Sequence, residues 1–505
     1  MALTDGVSAH LPEVKATAAV FMVTLVAVKL ITLMNKKRPN LPPGPRGVPI
    51  LGYLPFFGKE PPITFMKLHK TYGDVISISM GSFPAIVISG RDTIKEALVT
   101  KGDDFSGRPA FTTARLLNEG RNFGFSAFGA IWKVHRKIVS NVLYTFTNAR
   151  NNPIEDIVRN EAQFVAEEYL SNGDQSFNPK DTLMVAGSSM VYQLCFGQHL
   201  NIREDKDFMN DLNGSRRFQE FTKAGNPVDV MPWLRFIMPG KVKMFMELIT
   251  RAVARRSKKV EEHEAVFDEN HLRDITDGLI HAGNNLSDEE KAVGLDRRRV
   301  IESLDTILGA GGATVSTTLQ WSVLLMAAKP EVQEKVFQEI SDKVGQGRLP
   351  TLNDRPDLPY TEATIYEVLR YGTIIPFALP HATTCDTTLN GYDIPEGTVV
   401  LVNLYSIYMD EELWGDPDNF RPERFLTEDG ELDRSKVEQV TPFSLGRRRC
   451  VGEFLARMEL FLFFTTMMQR VRFYKPPGAP QYTLDAVFGL AKDPCDFHVC
   501  VSRRD

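Results

Sequence analysis

The sequence predicts a mainly α-helical protein with a minor β region, a single large domain carried behind one N-terminal transmembrane helix. Three observations lead there. Apolar residues recur at helical spacing through most of the chain, strand-like alternation is confined to a few short runs, and residues 16–34 form an apolar stretch of membrane length. A hydrophobic content of 43% with 32 Phe, in a chain of 505 residues, is enough to bury a large core. The net charge of −5 argues against nucleic acid as the main partner. The five cysteines are scattered, odd in number and free of CxxC spacing, which argues against a disulfide framework and a cysteine-rich zinc site.

Taken in order, residues 1–15 precede the apolar stretch and 16–34 form the anchor. At helical rise the stretch spans ~28 Å, close to the ~30 Å of a bilayer core. Lys29 lies near one end, where its ammonium can snorkel to the headgroups. Asn35-Lys36-Lys37-Arg38 follows, so the positive-inside rule puts residues 1–15 on the lumenal side and 39–505 on the cytosolic side. A cleaved signal peptide is the competing reading; the basic cluster stands after the apolar run rather than before it, and no small-x-small site follows. Residues 35–49 form a basic, proline-rich hinge, in which Leu41-Pro42-Pro43-Gly44-Pro45 cannot continue a helix.

Residues 50–505 contain no Gly/Ser/Pro-rich linker and no repeat, and read as one body. Val75 to Met80 and Ala85 to Ser89, broken by Gly81 and Pro84, predict an early hairpin. Helical spacing covers Ile154 to Leu170, Val242 to Glu262, Val300 to Ala328, Glu331 to Val344, Tyr360 to Tyr371 and Glu453 to Val471. Val399 to Asn403 and Phe497 to Val501 read as strands, and Ala282 to Lys291 as a polar loop. Gly309-Ala310-Gly311 is no dinucleotide fingerprint, because no strand precedes it and Thr314 occupies the third glycine position; His263-Glu264 lacks the second histidine of a zinc-protease helix.

Phe443-Ser444-Leu445-Gly446-Arg447-Arg448-Arg449-Cys450-Val451-Gly452 sets a cysteine behind three arginines and ahead of a helix. Helix dipole and cations would both lower the thiol pKa there, and Gly446 and Gly452 would let a broad, flat group approach the backbone. A buried structural cysteine beside a solvated basic run fits the same residues. Glu367 and Arg370 form an i,i+3 acid–base pair, a spacing most often found in exposed surface bridges. Leu308 to Thr314 puts three glycines within four residues of a long helix, at a cost of ~1 kcal/mol each relative to alanine. Such a cost is tolerated where backbone approaches something flat, where helical hydrogen bonds must loosen, or where another helix packs closely.

Together these segments resemble the cytochrome P-450 family of haem-thiolate monooxygenases, of the animal microsomal type. The pattern F-x-x-G-x-R-x-C-x-G is complete in residues 443–452. The resemblance implies haem b with Cys450 as the axial thiolate ligand, and Arg448 paired with a propionate. Glu367-Val368-Leu369-Arg370, with Pro422-Glu423-Arg424-Phe425 downstream, is similar to the family's buried structural cluster, here Glu367, Arg370 and Arg424. Trp132-Lys133-Val134-His135-Arg136 matches a propionate-holding W-x-x-x-R, which assigns Trp132 and Arg136, and Pro380-His381-Ala382-Thr383 assigns a propionate contact to His381. Thr314 matches the threonine that steers protons to oxygen. Ala313 departs from the family, which usually has Asp or Glu there, and Asp305 is no substitute, standing ~180° round the helix from Thr314.

The resemblance covers residues 40–505. Leu272-Arg273-Asp274-Ile275-Thr276-Asp277, Pro380 to Asp386 and Glu459-Leu460-Phe461-Leu462-Phe463 look most like the aryl-hydrocarbon-oxidising branch, with the steroid 17-hydroxylase branch second. It implies insertion of one atom of O2 into a lipophilic aromatic, xenobiotic or steroid-like substrate at the endoplasmic reticulum membrane. Electrons would come from NADPH through NADPH-cytochrome P-450 reductase, with cytochrome b5 as a further partner. Family position lines the substrate pocket with Phe125, Ala310 and Phe377. Lys133, Lys137, Arg447 and Arg449 are either a docking patch for an acidic partner or solvated surface charge. The rival functions are a haem-thiolate peroxide isomerase or dehydratase that needs no reductase, and a non-catalytic haem or sterol carrier.

Overall fold

In chain order, the elements that position the site are β1 (Val75–Met80), β2 (Phe83–Ile88), α1 (Ala130–Asn148), α2 (Pro153–Leu170), α3 (Lys180–Phe196), α4 (Pro239–Glu264), α5 (Ile275–Asn284), α6 (Ser303–Ala328), α7 (Pro330–Lys343), α8 (Pro359–Gly372), β3 (His381–Ala382), β4 (Val399–Val402), α9 (Glu453–Arg470), β5 (Val471–Tyr474), β6 (Ala486–Phe488), β7 (Lys492–Pro494) and β8 (Cys500–Arg503). The computed structural model describes residue 24 and residues 40–148, 153–197, 202–221 and 227–504. The expected anchor at 16–34, apart from Thr24, and the first part of the hinge lie outside the described residues. Among the described residues no helix is long and apolar enough to cross a membrane.

Helix α6 is the axis of the body. From Val315 to Ala327 every residue is buried, the signature of a helix enclosed on all sides rather than laid on a surface. Helices α3, α8 and α9 pack on it. At the α3–α6 crossing the backbones meet: a Cβ on Gly187 would lie 2.3 Å from Ser316 Oγ, and one on Gly312 2.8 Å from Ser188 Cα. Proline at the first turn starts α4, α7 and α8, where a missing N–H costs nothing.

The β region is a four-stranded sheet in the order β1-β2-β4-β3, with β2 and β4 parallel and the other neighbours antiparallel. Pro84 does not break the hairpin as the sequence suggested. It sits within β2 opposite Ser79, one residue before β4 joins at Ala85, so its missing N–H interrupts no central ladder. Strand β8 pairs with β5, and β6 with β7.

The other departures have local causes. The helix expected over Val300 to Ala328 is interrupted at Glu302, where the ladder tightens and the Asp305 N–H reaches back three residues to the Glu302 carbonyl. Ala282 to Lys291 is mostly helical rather than a loop. Helix α5 runs to Asn284, and Ser287 with Glu290 forms a capping box that starts Asp288–Ala292. The last strand begins at Cys500, because Val499 only bridges to Phe177.

Glu367, Arg370 and Arg424 come together in the interior, not on the surface. Arg370 Nε and Nη2 each donate to Glu367 at 2.7 Å, and Arg424 Nε donates to Glu367 Oε1 at 3.2 Å. Glu367 and Arg370 have no exposed side-chain surface. Removing the shared anion leaves Arg370 buried without a counter-charge, and leaves Arg424 with only the more exposed Asp416 at 3.0 Å. Glu367→Gln is therefore expected to cost ~3–5 kcal/mol of stability, read as a lower denaturant midpoint at unchanged slope. A loss below ~1 kcal/mol would contradict this reading of the cluster.

Candidate active site

The segment Phe443–Gly452 turns back on itself before α9. The Cys450 N–H donates to the Phe443 carbonyl at 2.9 Å, and Ser444 and Gly446 both adopt positive φ, 63° and 70°. A Cβ on Gly446 would lie 1.7 Å from the Leu98 carbonyl oxygen. Glycine is thus required at 446 by the neighbouring backbone and by its own φ, a constraint beyond the one the sequence suggested. Cys450 is solvent-accessible yet closely surrounded by protein, as at the bottom of a cleft. Burial pushes its thiol above the ordinary value, against the Gly452 N–H, Arg136 and Arg449, with Glu453 adding to the rise. The expected lowering does not occur in the protein alone, because desolvation outweighs helix terminus and cations.

Three guanidinium groups converge beside this segment. Arg448 is buried; its Nε donates to Ser106 O at 2.9 Å and its Nη2 to Ser126 O at 2.7 Å, while Nη1 is buried without a partner. Its guanidinium lies 4.1 Å from the Trp132 ring centre. Arg108 donates to Gly124 O, Leu379 O and Pro380 O, and Arg136 to Arg449 O. Among the described residues none of the three is paired with a carboxylate. Burial, then Arg108 and Arg136, push Arg448 down to about 8, and burial pushes Arg108 down to about 9. His381, on β3, bonds Phe105 O through Nδ1 at 2.7 Å. Since a carbonyl only accepts, Nδ1 carries the hydrogen and Nε2 is left as an acceptor on a ring that burial, then Arg108, push down to about 3. A cleft of about 440 Å³ lined by Trp132, Lys133, Arg136, Gly446 and Arg447 adjoins the ring of cations.

Trp132 stands beside two of the three guanidinium groups. Its N–H is given to the Phe123 carbonyl at 3.2 Å, so the indole stands as a plate under Arg448.

Helix α6 supplies another wall. Gly309 and Ala310 are exposed although the helix is enclosed from Val315 onward, and a Cβ on Gly309 would meet nothing within 4 Å. The glycine row is therefore divided. Gly309 faces open space, whereas Gly311 and Gly312 are the close-packing kind, against Val191 and Ser188 of α3. Thr314 is half-buried and donates to Ala310 O at 3.0 Å. Asp305 is committed elsewhere, to Asn118 at 2.7 Å and Arg256 at 2.8 Å. The turn 122–126 links the two walls, with Ser126 O on Arg448 and Gly124 beside Thr306 of α6. Phe125 belongs to this turn; Phe377 instead sets its ring edge-on to Phe65 at 5.8 Å, within the cluster under the sheet.

Of the four surface cations, Lys133 and Arg447 both pair with Asp103, and Arg449 with Glu453; Lys137 is exposed. Exposed pairs of this kind are worth ~0–1 kcal/mol each. Sequence reasoning missed Arg108, because no local pattern marks an arginine whose partners lie at Leu379 and Pro380.

The residues present fit an anionic, flat group. Three cations without an internal counter-ion, one with a buried free N–H, surround a space with an accessible cysteine, and the exposed Gly309–Ala310 backbone leaves room. The turn itself is testable: Gly446→Ala forces a Cβ into Leu98 O at positive φ, and is expected to cost above ~1 kcal/mol, read as a thermal midpoint lower by about 1 °C or more in a chain of this length. An unchanged midpoint would contradict the required contact.

Comparison with known proteins agrees with this geometry. The Cytochrome P450 family model matches residues 42–501. Cytochrome P450 1A1 of Cavia porcellus is 36% identical over 488 residues, covering 95% of this chain and 94% of its own. Cytochrome P450 1A1 of Rattus norvegicus is 38% identical over 447 residues, 86% of this chain and 85% of its own. Cytochrome P450 1A2 of Oryctolagus cuniculus is 36% identical over 516 aligned positions, 99% of this chain and 98% of its own. The chain belongs to the cytochrome P450 family: it is a mainly helical, haem-thiolate monooxygenase.

Proposed function

We propose that the protein inserts one atom of O2 into a lipophilic aromatic, xenobiotic or steroid-like substrate, with Cys450 as the metal ligand and electrons from NADPH through NADPH-cytochrome P-450 reductase, cytochrome b5 being a further donor. The observation that carries this is the ring of Arg108, Arg136 and Arg448, uncompensated by any carboxylate among the described residues, around an accessible cysteine. When bound, haem supplies the oxygen activation, and thiolate donation favours O–O cleavage.

The chain's own residues prepare the rest. Arg448 offers its free Nη1 to a propionate, in the charge-assisted geometry that suits guanidinium and carboxylate, and Arg108 and Arg136 neutralise the remaining negative charge. Trp132 fixes the plane of Arg448 from below. His381 has Nε2 as its free ring nitrogen, and a carboxylate set beside it would draw a proton there. Thr314 holds a hydroxyl at the Ala310 carbonyl, on the exposed stretch of α6, where it can accept and pass a proton. Phe125 and Ala310 line the substrate side; Phe377 sits further off, toward Phe65.

Membrane attachment by residues 16–34, with residues 1–15 lumenal, 35–49 as hinge and 50–505 as the cytosolic catalytic domain at the endoplasmic reticulum, is supported by a surface patch on the body. Trp233, Phe236, Ile237 and Met244 are exposed, as are Ile50, Leu51 and Phe56. The two groups adjoin, because the turn after β1 bonds both: Gly81 N–H to Leu51 O and Ser82 N–H to Val230 O. Such a patch suits a lipid surface.

The experiment is turnover of the full chain in vesicles. A planar polycyclic substrate is expected to be hydroxylated only when NADPH and reductase are both present. Turnover of a lipid hydroperoxide without them, and no NADPH-dependent product, would contradict the proposal.

A further inference from the structure

Helix α6 lacks the acid its family usually carries beside Thr314, since residue 313 is alanine. The overall reaction, substrate plus O2 plus NADPH plus H⁺ giving hydroxylated product, water and NADP⁺, nevertheless consumes protons that must reach the site from water. The two acids at the start of α6 are already engaged. Asp305 is held by Asn118 and Arg256, and Glu302 by Arg121 and Arg298. Glu459 is buried within α9, among the apolar residues of the core.

Asp493 is different. It lies on β7, and its Oδ1 accepts a hydrogen bond from Thr317 Oγ1 at 2.8 Å. Thr317 belongs to α6, three residues past Thr314. At 100° per residue, Ala310, Thr314 and Thr317 fall within ~60° of one another, on a stripe that runs from the exposed Ala310 to the buried Thr317. Strand β7 is fixed at the residue before Asp493: Trp321 Nε1 of α6 donates to Lys492 O at 2.9 Å, and the Lys492 N–H donates to Ile374 O, beyond the end of α8, at 2.8 Å. Asp493 itself is only partly buried, so one side remains open to water.

We propose that Asp493, acting through Thr317, replaces the missing acid as the proton source for Thr314. Residues three apart on one helix face have Cβ atoms ~5–6 Å apart, a gap that one water spans between two hydroxyls. For delivery the observed bond reverses: Asp493, once it has taken a proton from water, donates to Thr317 Oγ, whose own hydrogen turns to the bridging water and moves toward Thr314. Asp493 is then reprotonated from bulk water. Only O–H bonds form and break, and no electron moves. Asp493 is a positioning and supplying residue; Thr314 remains the group nearest the chemistry. This rests on the monooxygenase reading above.

The test uses the full holoenzyme in vesicles with reductase, and measures product per NADPH and hydrogen peroxide released. Asp493→Asn and Thr317→Val are expected to lower product per NADPH about tenfold, with a matching rise in peroxide. Asp493→Glu is expected to restore it, and so is Ala313→Asp placed in the Asp493→Asn background, because the acid then returns to α6 itself. In the resting protein, the carboxylate infrared band lost in Asp493→Asn is expected to shift in Thr317→Val. An undiminished ratio in Asp493→Asn overturns the relay while product still forms. A diminished ratio that Ala313→Asp fails to restore also overturns it, since Asp493 would then only fasten β7 to α6. Absence of NADPH-dependent product in the wild type would overturn the monooxygenase reading and the relay with it.

Discussion

Glu367 receives two guanidinium groups in a place where water does not reach. Arg370 grips it with two hydrogen bonds and Arg424 with a third, while the Arg421 backbone N–H adds a fourth at 2.8 Å. The remaining N–H groups of the two arginines are spent on carbonyls of Trp414, Asp416, Pro417, Asn419 and Tyr408 and, from Arg424, on the Asp416 carboxylate. A buried ion cluster is costly unless every donor is satisfied, so this one admits essentially one path for residues 405–425 around the end of α8. That path delivers the chain to Phe443 and the turn that presents Cys450. The site's geometry is inherited from an interaction that touches no substrate.

Against that fully paired cluster, the site stands out by what its cations lack. Arg108, Arg136 and Arg448 repel one another, and burial presses Arg108 and Arg448 toward neutrality. A fold that satisfies Arg370 with five hydrogen bonds leaves Arg448 Nη1 with none. Such an arrangement stores a need for negative charge, which a dianionic cofactor meets. The same contrast separates Thr317 from its neighbours on α6. Thr318 and Ser322 turn their hydroxyls back on their own helix, whereas Thr317 gives its hydroxyl to a carboxylate on another strand.

What the sequence revealed follows the range of the interactions. The cores of the helices and the β1–β2 hairpin were legible, because 3.6- and two-residue periodicities are local. The Glu367–Arg370 pair was legible only once Arg424 joined it, and the turn around Cys450 through its dense pattern. The constraint that Leu98 places on Gly446 was not legible, because Leu98 is far away in sequence. The break at Glu302 and the capping box at Ser287 were local but overlooked, the second despite its S-x-x-E spacing. Arg108 and the Thr317–Asp493 bond could not be read at all. Each depends on partners well over a hundred residues distant, brought near for Arg108 by the Gly107–Ala382 bridge and for Thr317 by β7 lying against α6.

The account turns on whether Cys450 binds iron as a thiolate within this ring of cations. The most direct measurement is the carbon monoxide difference spectrum of the reduced protein, wild type beside Cys450→Ser. A strongly red-shifted Soret band in the wild type, lost in the variant, is the expected result. A wild type without that band, or a variant that keeps it, would contradict the assignment of Cys450 and the site built around it.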